Sequence, residues 1–291
     1  MTFRRGARID TGQVRDVRGM SRGTAIGGGG GLIGIVALLV IVFLNGGSGG
    51  DLSGLSELLG GPVGGSGGPT STALADCKTG ADANASDDCR IVGYVNSIQA
   101  YWNDWFTRNG NRYAPSTTTF FDGQLNTGCG VASSETGPFY CPTDKNVYID
   151  LGFFVVLRDR FGGSAAPFAQ AYVMAHEYGH HVQDLLGDLG QQGAGADGGS
   201  VRTELQADCY AGVWGSNAVS TGYLEPITDI QINDALEAAQ AVGDDRIQRA
   251  TTGRVDPETF SHGTAAQRQQ WFKAGYNSGD PGTCDTFRVD I

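Results

Sequence analysis

Three of the four histidines in this 291-residue chain stand together in Ala175-His-Glu-Tyr-Gly-His-His-Val182, and no other stretch restricts the fold as much. Apolar residues recur at helical spacing from Ala165 to Leu186, Ser164 is placed to cap, Pro167 suits a first turn, and Gly187 stands past the end. The spacing therefore predicts a helix over 165–186. On such a helix His176 and His180, four apart, share a face where two imidazole nitrogens can reach one metal ion. Glu177 is turned about 100° from His176, which suits it to reach a water on that metal better than to ligate. His181, one step past His180, points away and reads as supporting or structural.

A catalytic metal of this kind needs a third protein ligand and one open position. Continuation as His-x-x-Gly-x-x-His is excluded, because Gln183 and Leu186 occupy the corresponding places. The segment Thr203-Glu-Leu-Gln-Ala-Asp-Cys-Tyr210 offers a better source, with Glu204 and Asp208 on one helical face. Glu204 can ligate while Asp208 accepts the Nδ1 proton of a ligating histidine and fixes its tautomer. Asp184, four residues beyond His180, stays open as the rival ligand. Two imidazoles and a carboxylate favour one Zn²⁺ per chain over Mg²⁺ or Ca²⁺, which prefer all-oxygen shells. The fourth histidine, His262 in Phe260-Ser-His-Gly-Thr264, could donate to the oxyanion of a tetrahedral intermediate. A loop histidine without a role is its alternative, and Tyr178, Tyr210 or Tyr223 could supply the same hydrogen bond.

Around this centre the pattern predicts an α+β fold, mostly helical with a small mixed sheet. A helix capped by Asp87 or Asp88 runs to about Arg108, with Ile91, Tyr94, Val95, Ile98, Tyr101, Trp102 and Trp105 as its core stripe. Thr117–Phe121, Pro138–Tyr140 and Asn146–Asp150 read as short strands. Further helices are expected over 151–160, 201–216, 229–242 and 264–277, with a glycine-rich surface loop after Gly187. An extended peptide could pair with the strand near Asn146–Asp150 or with Gly130–Ser134.

Composition sets the domain organisation. Six arginines stand against two aspartates in residues 1–22, and no charge occurs from Ala25 to Leu44. Twenty residues are just enough to cross about 30 Å of hydrocarbon as a helix. Residues 1–24 are therefore expected as a basic cytoplasmic segment and 25–44 as an uncleaved transmembrane anchor. A Gly/Ser-rich linker over 45–73 and one domain over 74–291 would follow, the domain lying outside the cytoplasm by the positive-inside rule. No Ala-x-Ala site marks the rival reading, a cleaved signal peptide. Six cysteines without a Cys-x-x-Cys pair favour disulfides in that compartment, with Cys77–Cys89, Cys129–Cys141 and Cys209–Cys284 the pairing suggested by spacing. A net charge of -11 argues against nucleic acid as a partner.

Arg4-Arg5-Gly6, the apolar anchor, Thr127-Gly-Cys-Gly130, Gly137-Pro-Phe-Tyr-Cys-Pro142, the His-Glu-Tyr-Gly-His-His run, Glu-Leu-Gln-Ala-Asp-Cys, Gly243-Asp-Asp245 and Ser-His-Gly-Thr together resemble the bacterial membrane-anchored neutral zinc metallopeptidases. The resemblance implies a zincin-like peptidase domain, with His176, His180 and Glu204 as ligands and Glu177 as general base. The expected function is zinc-dependent hydrolysis of a peptide or protein substrate at the outer face of the cell membrane. The alternative is a catalytically silent, zinc-stabilised envelope binding or assembly module, for which loss of Glu177 would be the signature.

Overall fold

A computed structural model describes residues 2–19, 74–190 and 193–291. The expected anchor over 25–44 and linker over 45–73 lie outside the described residues. Among the described residues no helix is long and apolar enough to cross a membrane.

The chain is mixed α+β and mostly helical. A first strand, β1 (Val14–Asp16), is followed by α1 (Gly80–Ala85) and the long α2 (Asp87–Arg108). Strands β2 (Thr117–Phe120), β3 (Gln124–Thr127), β4 (Gly130–Ser133), β5 (Phe139–Cys141) and β6 (Asn146–Ile149) come next. Helices α3 (Phe153–Phe161), α4 (Pro167–Leu186), α5 (Gly199–Asn217), α6 (Asp229–Ala241), α7 (Asp244–Thr252) and α8 (Ala265–Ser278) complete the described elements. Ser86, not Asp87 or Asp88, holds the N-cap position of α2, without a side-chain capping bond; the two aspartates stand in the first turn, where their charge suits the positive end of the helix. Ala166, not Ser164, is the N-cap of α4; the Ser164 hydroxyl instead accepts from the Ala166 N–H.

One sheet runs in the order β1-β2-β6-β5, parallel except for the antiparallel β5–β6 edge, and β3 and β4 form a separate hairpin. This order corrects one expectation. Strand β6 is bonded on both sides, so no substrate strand can add to Asn146–Ile149. The free edges of that sheet are β1 and β5, and β5 lies against α4. The β4 segment spends one edge on β3.

The division of the chain at residue 74 also has to be redrawn, because residues 2–19 belong to the folded unit. Strand β1 pairs in register with β2, Val14 opposite Thr118 and Asp16 opposite Phe120. Phe3 is fully buried against Tyr94. These residues carry too little periodicity to announce a strand, and the basic composition pointed to a tail instead.

Helix α5 lies between α4 and α8, and glycines set both spacings. A Cβ on Gly179 would stand 2.9 Å from the Ala207 carbonyl oxygen, and one on Gly275 would stand 1.9 Å from that of Cys209. Only residues without side chains permit backbones this close. All three expected disulfides are present, and Cys209–Cys284 ties α5 to the C-terminal segment.

Candidate metal centre

The close approach at Gly179 decides the geometry of the site, since it lets the α5 backbone at Ala207 pack directly on the helix that carries His176 and His180. His176 Nε2 lies 3.1 Å from one Glu204 carboxylate oxygen, and His180 Nε2 lies 3.3 Å from the other. One ligand atom from each of the three residues falls within 4.8 Å of the rest. Asp184 is elsewhere: it accepts from the Tyr140 hydroxyl at 2.7 Å and faces Lys145 Nζ at 3.7 Å. Asp184 is not among the residues whose ligand atoms converge.

Each imidazole is held by its other nitrogen. His176 Nδ1 lies 2.8 Å from Asp208 Oδ1, and His180 Nδ1 lies 2.8 Å from the Gln183 side-chain oxygen. Both acceptors hold a proton on Nδ1, which turns each Nε2 towards Glu204 as the atom free to ligate a metal. The Gln183 amide is oriented in turn, donating to the Thr203 carbonyl at 2.7 Å and to Gln206 at 2.9 Å. This polar bridge joins α4 to α5 directly beneath the histidines.

Asp208 is wholly buried and fully engaged. Arg268, from the first turn of α8, donates through Nε to Oδ2 at 2.7 Å and through Nη2 to Oδ1 at 3.0 Å, while the Tyr172 hydroxyl donates at 2.5 Å. Arg268 Nη2 also stands 3.8 Å from Glu204. A buried carboxylate demands a cation, and that demand was readable around Asp208. Which arginine answers it was not, because Arg268 reaches the site only through the packing of α8 on α5.

Burial works against charge on His176, yet Asp208 and Glu204 outweigh it and push the imidazole up to about 10. Burial likewise opposes the Glu204 carboxylate, but His180 and His176 hold it well below the usual range. Burial resists the Asp208 charge too, and Arg268 and His176 overcome it. Glu177 behaves differently: burial raises its carboxyl, and the neighbouring histidines only partly offset this. It is 4% exposed and is not one of the three residues whose ligand atoms converge.

These residues suit a zinc ion. One Glu204 oxygen is buried without a hydrogen-bond partner, an arrangement that costs free energy unless something else meets that lone pair. Its 3.3 Å approach to His180 Nε2 lacks hydrogen-bonding alignment, and a tautomer protonated at Nδ1 offers it no proton. Two neutral imidazoles and one carboxylate are a typical zinc set.

His181 takes the structural role, donating from Nε2 to the Ala114 carbonyl at 2.7 Å. His262 is almost completely buried, with Nδ1 3.1 Å from Asp244 Oδ1 and Nε2 without a partner. Asp244, part of the Gly243-Asp-Asp245 motif but given no role by the sequence, also accepts three backbone N–H groups at Oδ2, from Ser261, His262 and Gly263. The loop leans on α5 next to the ligand helix face: a Cβ on Gly263 would meet Val201 at 3.0 Å and Leu205 at 3.4 Å. Tyr178 and Tyr210 are packed in the core.

Comparison with known proteins leads to a family named for zinc. The sequence model of a family described as "Putative neutral zinc metallopeptidase" matches residues 1–287. An uncharacterized protein of Mycobacterium tuberculosis (strain H37Rv) is 59% identical over 224 residues, covering 74% of this chain and 75% of its own. The uncharacterized protein YpfJ of Escherichia coli K12 is 40% identical over 297 aligned positions, covering 98% of both chains. No solved structure matches.

Proposed function

The chain belongs to that neutral zinc metallopeptidase family, and from this premise we propose that it is a zinc-dependent peptidase held at a membrane through residues 25–44, with Glu177 as general base. The observation that carries the reading is the division of labour on α4 and α5. Three groups converge, and a fourth, Glu177, is buried beside them without joining them. A zinc ion held by His176, His180 and Glu204 would supply Lewis-acid chemistry, polarising a scissile carbonyl and acidifying water.

The chain's own residues do the rest. Asp208 and Gln183 hold the two rings by Nδ1 and aim each Nε2 at the metal position. Glu177, its basicity raised by burial, takes a proton from the attacking water and delivers it to the leaving amine. His262, held by Asp244 at Nδ1, offers Nε2 to the developing oxyanion. An extended peptide can pair with the outer edge of β4, which bonds only to β3 and exposes Val131. Three disulfides support an oxidising compartment outside the cytoplasm.

The test uses the full chain in detergent, loaded with zinc and given a diverse peptide mixture, with cuts mapped by mass spectrometry. Glu177→Gln, zinc-replete, is expected to cleave at least about 10²-fold more slowly than the wild type. Undiminished cleavage by that variant would remove the proposed mechanism.

A further inference from the structure

The segment before the apolar stretch is built into the domain that follows it. Phe3 fills a socket shaped for its ring: a Cβ on Gly93 would lie 2.6 Å from it. Asn84 holds the backbone on both sides of that ring, accepting from the Thr2 and Phe3 N–H groups at 3.0 Å and donating to the Phe3 carbonyl at 2.8 Å. Asn96, 1% exposed, does the same for Asp10, at 2.7 and 2.9 Å. The chain bonds to Tyr223 and Glu225 near Phe3 and to Lys78 at Ile9. Beyond β1, Arg18 joins Asp16 to Asp88, each at 2.7 Å, one residue from Cys89 of the first disulfide.

Such paired backbone clamps, a shaped aromatic socket and a parallel strand are features of a structural element, not of a tail. A helix that crosses a bilayer once leaves its two flanks on opposite sides. Residues 2–19 cannot be docked on the domain and lie across the membrane from it. The contacts from Leu74 onward and those up to Gly19 thus impose one side for both.

We propose that the basic N-terminal segment lies on the same side of the membrane as the metal-binding domain, as its first strand, so that residues 25–44 do not serve as a single crossing. The proposal rests on the membrane association put forward above and replaces the opposite-sided arrangement that the arginines suggest. Positive charge is a bias on orientation; here it is opposed by burial of Phe3 and Val14 and by the β1–β2 ladder.

Two measurements on the full chain decide it. Single cysteines replace exposed Arg5 and, as a reference on the domain, exposed Arg254, and each variant is treated with a membrane-impermeant maleimide before and after the membrane is permeabilised. Matching patterns are expected for the two positions; labelling from opposite sides overturns the proposal. Phe3→Ala should lower the melting temperature of the purified full chain by about 10 °C, the scale for losing a buried phenylalanine in a domain of this size. An unchanged melting temperature overturns the docking. Alkaline extraction of the membrane fraction reports separately on membrane association: full release would end the anchoring reading, while the melting temperature of Phe3→Ala still judges the docking.

Discussion

Arg268 Nε donates to Asp208 Oδ2 at 2.7 Å, and through Asp208 the last long helix steadies His176 on α4. Both side chains are buried, so the pair is expensive to break even if its net contribution when intact is small. Arg268→Met should therefore destabilise the protein by about 3–5 kcal/mol, the usual cost of stranding a buried charge. Arg268→Lys should recover only part of this, since one ammonium cannot reproduce the two-point contact. Denaturant unfolding of the zinc-free chain measures both, and a loss within about 0.5 kcal/mol, the level of ordinary surface changes, would show that Asp208 finds another partner.

The third ligand can be assigned by metal content. Glu204→Ala should lose nearly all bound zinc at equimolar metal, because two imidazoles alone do not complete the set. Asp184→Ala should keep about one zinc per chain, because its carboxylate is occupied by Tyr140 and Lys145. Elemental analysis of the two purified variants decides between them, and the reverse pattern would move the ligand to Asp184.

Much of this centre was legible because a helix converts sequence spacing into geometry. His176, Glu177 and His180 follow from a 3.6-residue turn, and Glu204 with Asp208 repeat the same logic on α5. The contributions of Arg268, Tyr172 and Asp244 depend on how α8, α7 and α4 pack, and tertiary packing leaves no periodic trace. Residues 2–19 were hidden for a related reason: β1 is three residues long, and its evidence is a partner 104 residues away, Val14 against Thr118. The interior place of β6 was equally unreadable, since strand order is not written in any one strand.

Zinc binding should strengthen as pH rises. In the metal-free protein Asp208 and Glu204 push His176 up to about 10, so near neutrality its imidazole carries a proton that must leave before Nε2 can ligate. Calorimetric titration in buffers of different ionisation enthalpy should count at least one proton released per zinc at pH 7, and release of none would contradict the assignment. The sign for stability is opposite. A raised imidazole stabilises the metal-free fold fully below about 6.5, its unfolded value. That contribution fades as pH climbs towards 10, whereas zinc-loaded protein should not show the loss.

The Asp244–His262 pair separates a working histidine from a packed one. Burial opposes the Asp244 charge, but His262 and the backbone N–H groups of the loop hold its carboxyl below the usual range. Its stabilisation is thus present above about pH 4, the unfolded value, and lost as pH falls through the lowered one. Asp244→Asn keeps the shape of the side chain while removing the carboxylate that holds Nδ1, so the ring and its Nε2 are positioned less firmly. The variant should unfold more easily by about 2 kcal/mol, the scale of a charged hydrogen bond. Assayed well below its melting temperature and with zinc verified, it should lose kcat by about tenfold or more with KM little changed, as for an interaction made only in the transition state. His262→Gln should give a similar kcat loss, and the double variant should be no worse than either single one, because Asp244 acts through His262. Loss of stability with kcat intact in both single variants would leave the pair a structural latch on the loop before α8.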